Sequence, residues 1–364
     1  MSAITPADGP VAVTGASGFT GGHMVRELIH HGYQVKACIR DASSWRGQDC
    51  IQYLSKLPNV EIIDGCDLFV DESYDDAFSG CSAVFHTAAV LGNSADGKSQ
   101  PKGTGSTSQD TYNGGLEGTR NVIDSMNKNS SVKRLIYTSS LAAIKSYRED
   151  LPKGYEWTET DWASDGMDPD TWEKNAYGKS KADTEHFIND MADASGAWDV
   201  VTINPAMICG PVLFKAQVGQ WVEQLGRIAA GLETTWVPEY DMAFNIIDVR
   251  DLIRVQRLAA ESDIDHKNTH GGPRYLMQGC GGKSSLQVST DIVNIIQEAF
   301  PGFVLGGPKT ERDGKAVEVP MDAIYDCKKA KQVLGATLRP VEDTIREVIE
   351  TSIDLGVITP QLKN

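Results

Sequence analysis

The sequence predicts an α/β fold, a doubly wound parallel sheet with helices on both faces, and three observations carry that prediction. Short β-branched runs alternate with amphipathic stretches from Pro10 to about Leu141. Glycines three apart stand between the first run and the first amphipathic stretch. The chain, at 364 residues, can bury one large core or two intimate ones.

The elements follow in order. "VAVTGA" reads as the first strand, "GGHMVRELIHHG" as the helix after it and "YQVKACIR" as the second strand. "NVEIIDG", "SAVFHTAA" and "VKRLIYTSS" continue the strands, with "GTRNVIDSM" as a helix before the last of them. "NAYGKSKADTEHF" is helical, "WDVVTINPA" is a further strand, and "FNIIDVRDLIRVQRLA" reads as a strand end followed by a helix returning to the sheet. Residues 10–205 and 242–275 are thus assigned to the sheet domain, and 206–241 with 276–364 to a smaller, discontinuous one. The stretch "GNSADGKSQPKGTGSTSQDT", residues 92–111, lacks any large apolar side chain. It follows a strand and should emerge at the carboxyl edge of the sheet, as a substrate lid or an inert insertion.

Composition excludes some functions. A net charge of −16 argues against a general nucleic-acid binder. Seven cysteines without a CxxC pair suggest neither a disulfide framework nor a metal site, and point to a reducing, cytoplasmic setting. "MSAITPADGP" lacks the features of a signal peptide, and no apolar run is long enough to span a bilayer. His86 reads as a core histidine rather than a metal ligand.

Gly15, Gly18 and Gly21 in "VTGASGFTGGHM" lie between strand and helix, where glycine permits a tight turn and lets a pyrophosphate reach the helix N-terminus. Ser17, Phe19 and Thr20 share that turn. A dinucleotide is the expected ligand. Ile39 ends the second strand where a carboxylate would accept the ribose hydroxyls of NAD, and Arg40 and Arg46 follow. A guanidinium suits a 2′-phosphate, so NADP is favoured, while Asp41 keeps NAD possible. Asp67, with Leu68 beside it, is placed for the adenine side of the cofactor or for a strand-end turn. Tyrosine and lysine stand four apart twice, at Tyr177/Lys181 and Tyr325/Lys329, and the spacing alone does not choose between them.

The ordered series "TGASGFTGGH", "CIRD", "AVFHTAA", "NGGLEGTRNVID", "VKRLIYTSS", "WTETDW", "YGKSK", "INPAMICGP", "NIIDVRDL" and "DCKKAKQVLG" spans nearly the whole chain. It resembles the extended short-chain dehydrogenase/reductase superfamily, in its branch of dihydroflavonol-4-reductase-like and cinnamoyl-CoA-reductase-like carbonyl reductases. The resemblance implies a Rossmann fold with a smaller C-terminal substrate domain, and NADP-dependent reduction of a small-molecule carbonyl, reversible as alcohol oxidation. It selects Tyr177 as proton donor and Lys181 as the charge that draws the phenol's pKa from about 10 toward neutrality and holds the nicotinamide ribose. It selects Ser140 over Ser139 to stabilise the developing oxyanion. Asn113 would help order the site, its alternative being a helix N-cap. Thr87, Ala88 and Ala89 would line the nicotinamide ribose, and Pro205, Met207 and Ile208 would pass the nicotinamide ring. Tyr325 is then structural, with Asp326 as a helix cap. Trp157, Trp162 and Trp172 are candidates for a substrate pocket or for packing.

Departures limit the substrate. "LAAIK" lacks the specificity asparagine of plant dihydroflavonol reductases, and "KNAYGK" keeps only the frame of the cinnamoyl-CoA reductase box. The rival readings are an NAD-retaining nucleotide-sugar epimerase or dehydratase, and a non-catalytic NADP-sensing protein. A monomer or homodimer is expected.

Overall fold

The computed structural model describes residues 3–89 and 108–363 apart from 146–147, 149, 153, 169–171, 235–240, 282, 284 and 320–323. The first half alternates strand and helix: β1 (Val11–Thr14), α1 (Phe19–His30), β2 (Val35–Cys38), α2 (Trp45–Leu54), β3 (Val60–Ile63), α3 (Asp75–Phe78), β4 (Ala83–His86), α4 (Ser108–Asn127) and β5 (Arg134–Thr138). Then come β6 (Glu156–Trp157), α5 (Ala176–Ser195), β7 (Asp199–Pro205), β8 (Met207–Cys209), α6 (Gln220–Ala229), β9 (Ala243–Phe244), β10 (Ile246–Asp248), α7 (Val249–Glu261) and β11 (Arg274–Met277). The chain closes with β12 (Leu286–Gln287), α8 (Val293–Ala299), β13 (Glu311–Arg312), β14 (Lys315–Ala316), β15 (Ile324–Tyr325), α9 (Lys328–Leu334) and α10 (Val341–Asp354).

Seven strands form one parallel sheet in the order β11-β7-β5-β4-β1-β2-β3. Each is short and almost continuously apolar, as strands covered on both faces must be. Successive side chains of β1 serve opposite layers: Val11 and Val13 join the core that includes Met24, Leu28, Leu252 and Val255 of α1 and α7, whereas Ala12 joins that of Val122, Ile123 and Ile188 of α4 and α5. Local chemistry starts and stops the long helices. Asn175 accepts a hydrogen bond from Gly178 N at the start of α5, and Gly196 ends it at φ 60°.

Three sequence expectations are corrected. Ile246–Asp248 does not reach the main sheet; it pairs with β8, which leaves β7 after Ala206. Arg274–Met277 fills the edge beside β7 instead, so the boundary placed at 275/276 falls within a strand of the sheet. Arg274 hid this strand from a hydrophobicity reading, and it is tolerated there because its guanidinium is fully paired. Third, the stretch of residues 92–111 is not loop throughout. Residues 92–107 lie outside the described ones, but Ser108–Thr111 already belong to α4, where Ser108 Oγ donates to Glu173 O and Tyr112 packs on Trp172. A third core, of α6, α8, α10 and neighbouring strands, forms the second unit, while Tyr325, Cys327, Ala330 and Leu334 pack with the sheet. All seven cysteines are free and buried.

Candidate active site

The carboxyl ends of the strands gather the predicted residues at the point where the strand order turns from β4 to β1 and β2. Gly18 N donates to Gly15 O (2.9 Å), closing the turn, and Gly18 caps α1. Gly15 adopts φ 69°, and a Cβ there would stand 2.8 Å from Ala88 Cα. At Gly21 it would stand 2.2 Å from Gly15 O. Gly15, Ser17, Gly18, Phe19 and Thr20 thus make the tight turn from β1 into the N-terminus of α1, where a helix end favours an anion. Thr14 braces it: its hydroxyl meets His86 Nδ1 (2.7 Å) and Ala88 N (3.2 Å), and its carbonyl accepts from Thr87 Oγ1 (2.7 Å). His86 is a core histidine, stacked on Tyr137 and kept neutral by burial, its pKa down to about 3.

At the end of β2, Ile39 is buried and Arg40 exposed. Asp41 turns back on its own loop, its Oδ1 accepting from Ser43 N (2.9 Å) and Ser44 N (3.1 Å). Arg46 stacks on Trp45 and donates to Ala216 O (2.9 Å), so part of its fork is spent on the neighbouring segment. Asp67 accepts from Phe69 N (2.9 Å) in a turn, and Leu68 packs beneath Gly118.

A cleft between these ends and α5 is lined by Leu68, Ala88, Ala89, Tyr137, Tyr177 and Lys181. Tyr177 is surrounded by protein yet keeps part of its surface in the cleft. The Ser140 hydroxyl lies close enough to its phenol to favour the phenolate. Ser140 Oγ accepts from Ala142 N (3.1 Å), whereas Ser139 Oγ donates to Glu185. Lys181 Nζ donates to Tyr137 OH (3.3 Å) and Thr138 O (3.2 Å) and stands 6.0 Å from the centre of the Tyr177 ring.

The electrostatics differ from expectation. Burial pushes the Tyr177 phenol above its ordinary range, opposed by the nearby Ser140 hydroxyl, rather than toward neutrality. Burial also draws Lys181 down to about 8, with Glu185 acting against it. The ammonium is held against Tyr137 and Thr138 in this structure, beside rather than bonded to the phenol.

Asn113 is a second correction. It lies inside α4, neither at the N-cap nor in the cleft; its side chain is exposed and accepts from Gln109 Nε2 (2.7 Å). Thr111, Gly114 and Gly115 present the cleft-facing side of that helix. Gly115 lets α4 and α5 approach, since a Cβ there would meet Ser180 Oγ at 2.2 Å.

Pro205 ends β7, and Asn204 Nδ2 donates to Ser140 O (3.2 Å). Met207 and Ile208 continue into β8. Met207 enters the wall of a second, apolar cavity, with Trp221, Leu225, Met242, Phe244 and Ile292. Trp157, Trp162 and Trp172 line neither cavity and are packed against Tyr155, His186 and Tyr112. The Tyr325/Lys329 pair lies elsewhere. Tyr325 pairs β15 with β6, and Lys329 Nζ donates to Gly272 O (2.6 Å) and Arg274 O (2.7 Å).

Sequence reasoning missed Thr14, Tyr137, Asn204, Glu185 and Arg274. Only Glu185 had a readable signal, standing eight residues after Tyr177 on the same helix face. Among the described residues no group of side chains could hold a metal ion, and no helix is long and apolar enough to cross a membrane.

The model of the NAD dependent epimerase/dehydratase family matches residues 11–270. The chain belongs to this family. Cinnamoyl-CoA reductase CAD2 of Medicago truncatula is 27% identical over 94% of each chain. Dihydroflavonol 4-reductase of Hordeum vulgare is 30% identical over 96% of this chain and 90% of that one. Among solved structures, yeast methylglyoxal/isovaleraldehyde reductase Gre2, complexed with NADPH, superposes with a TM-score of 0.73 at 22% identity, covering 96% of this chain and all of its own. This family member is an NAD(P)-dependent oxidoreductase of the extended short-chain dehydrogenase/reductase type.

Proposed function

We propose that the protein is an NADP-dependent carbonyl reductase, reversible as an alcohol dehydrogenase, acting on an aldehyde or ketone with an apolar or aromatic body. The convergence of Ser140, Tyr177 and Lys181 beside a glycine cradle carries the reading. The nicotinamide, when bound, supplies or accepts the hydride. Gly15, Ser17, Gly18, Phe19 and Thr20 hold the pyrophosphate, and Thr87, Ala88 and Ala89 with Lys181 hold the nicotinamide ribose. Pro205, Met207 and Ile208 pass the nicotinamide ring, and Asp67 with Leu68 borders the adenine.

Tyr177 donates the proton. A phenol kept neutral by burial is in the right form to do so at neutral pH. The Ser140 hydroxyl steadies charge growing on the carbonyl oxygen, and the Lys181 ammonium favours the phenolate left behind. The apolar cavity suits the body of the substrate. At most ~11 Å of extended chain separates Asn204, bonded to Ser140 O, from Met207 in its wall.

A panel of aldehydes and ketones offered with NADPH, and with NADH in parallel, tests the reading. Carbonyl-dependent NADPH oxidation is expected. Conversion of a nucleotide sugar with NAD retained, and no oxidation by any carbonyl, would replace it with epimerase or dehydratase chemistry. Cofactor choice is tested at Arg40, because Asp41 is spent on its own turn and Arg46 partly on Ala216. Arg40→Ala should weaken NADPH binding by roughly tenfold, the worth of one charge-assisted hydrogen bond, and leave NADH nearly unchanged. Equal losses for both in a titration would take Arg40 off the 2′-phosphate.

A further inference from the structure

Behind the cleft lies a fully buried ion pair that the proposed chemistry does not use. Arg274 Nε donates to Glu185 Oε2 at 2.6 Å, with the two side chains 1% and 0% exposed. Every nitrogen of this guanidinium is employed: Nη1 bonds Glu159 O (2.9 Å) and Asp161 O (2.6 Å), Nη2 bonds Ala143 O (3.2 Å), and the plane lies 3.6 Å over Trp162. The other carboxylate oxygen, Glu185 Oε1, accepts from Ser139 Oγ and from Asn204 Nδ2 (2.7 Å), and Asn204 Nδ2 also holds Ser140 O. One carboxylate therefore ties the serine strand end and β7 to the helix that carries Tyr177 and Lys181.

We infer that Glu185, oriented by Arg274, is a positioning residue of the active site, the counter-charge to Lys181 and the anchor that sets Ser140 against Tyr177. The inference rests on the reading of Lys181 given above. Tyr177, Lys181 and Glu185 follow at four-residue spacing on one helix face, which sets neighbouring side chains about 6 Å apart at Cβ. Lys181 is 6% exposed, and the other titratable groups around it are Tyr177 from α5, Tyr137 from β5 and His86 from β4. None of them carries a negative charge at neutral pH, since burial raises both phenols and keeps the imidazole neutral. Glu185 alone among these groups supplies the negative charge that opposes the desolvation of the ammonium. A buried pair of this kind adds little stability over apolar side chains of equal volume, so its presence asks for a different account.

The test reads Lys181 directly. Its side-chain resonance in protein labelled with ¹³C at the lysine ε-carbon is assigned by its loss in Lys181→Arg and titrated from pH 6 to 11. Glu185→Gln should lower the Lys181 midpoint by about 1 pH unit, the size of a lost opposite charge at this range. Ser139→Ala, which disturbs the same network without removing the carboxylate, should leave the midpoint in place. Should Glu185→Gln fail to fold, the apolar pair Glu185→Leu with Arg274→Met avoids an unpaired buried charge and should show a fall in the same direction, smaller because the Arg274 charge is removed with the carboxylate. An unchanged midpoint in the folded variant, or an equal fall in Ser139→Ala, overturns the inference. The titration needs no substrate, so it stands apart from the carbonyl panel. If carbonyls are reduced, the alkaline limb of kcat should move down with the midpoint, whereas a purely structural role would lower Tm alone.

Discussion

Tyr177→Phe is expected to cost at least ~10²-fold in kcat for carbonyl reduction while leaving the fold and cofactor binding intact. The substitution removes one hydroxyl, and the nearby Ser140 keeps its bond to Ala142 N. Tyr325→Phe should leave the rate unchanged, because that residue lies in β15, paired with β6, and does not line the cleft. Burial fixes the direction of the pH dependence. A phenol raised above its ordinary range is protonated throughout the neutral region, so reduction should show no loss from Tyr177 there. Alcohol oxidation needs the phenolate and should accelerate as pH rises. Steady-state rates in both directions from pH 6 to 9 check this, and reduction by Tyr177→Phe at the parental rate would remove Tyr177 from the mechanism.

Lys181→Met should impair catalysis by roughly 10²-fold and weaken cofactor binding, yet leave the apoprotein as stable at pH 7 or more so. The ammonium is buried with its pKa drawn from 10.5 to about 8. Between those two values the unfolded chain binds a proton that the folded chain does not, so this lysine makes stability rise with pH across that window. Below about pH 8 both states carry the proton, and the folded state bears the full penalty of burying the charge. Methionine removes the penalty and the slope together. Thermal melts of the apoproteins at pH 7 and pH 10 read both effects. A clear fall in Tm at pH 7 would mean that the bonds to Tyr137 and Thr138 outweigh desolvation.

The readable parts of this protein are those whose cause is local. Gly15 and Gly21 announce a turn because backbone alone fits there, and the short runs of β1, β2, β4 and β5 announce buried strands because water is excluded from both faces. The order of motifs likewise singled out Tyr177 from Tyr325, and the structure puts the first in the cleft and the second in a strand pair. Asn113 was misread because helix phase, not motif proximity, decides which side chain faces the cleft. Two residues further along, Gly115 is the one in contact with α5.

By itself, the sequence determined the doubly wound sheet and the glycine turn before α1, and it named the tyrosine and lysine of α5 that line the cleft. Tertiary structure alone decided that Arg274 closes the sheet, that Glu185 gathers Ser139 and Asn204, and that Lys181 and Tyr177 are shifted by burial. Each of these depends on partners far apart in the chain, 89 residues between Glu185 and Arg274, and on how much water the finished fold leaves around a charge.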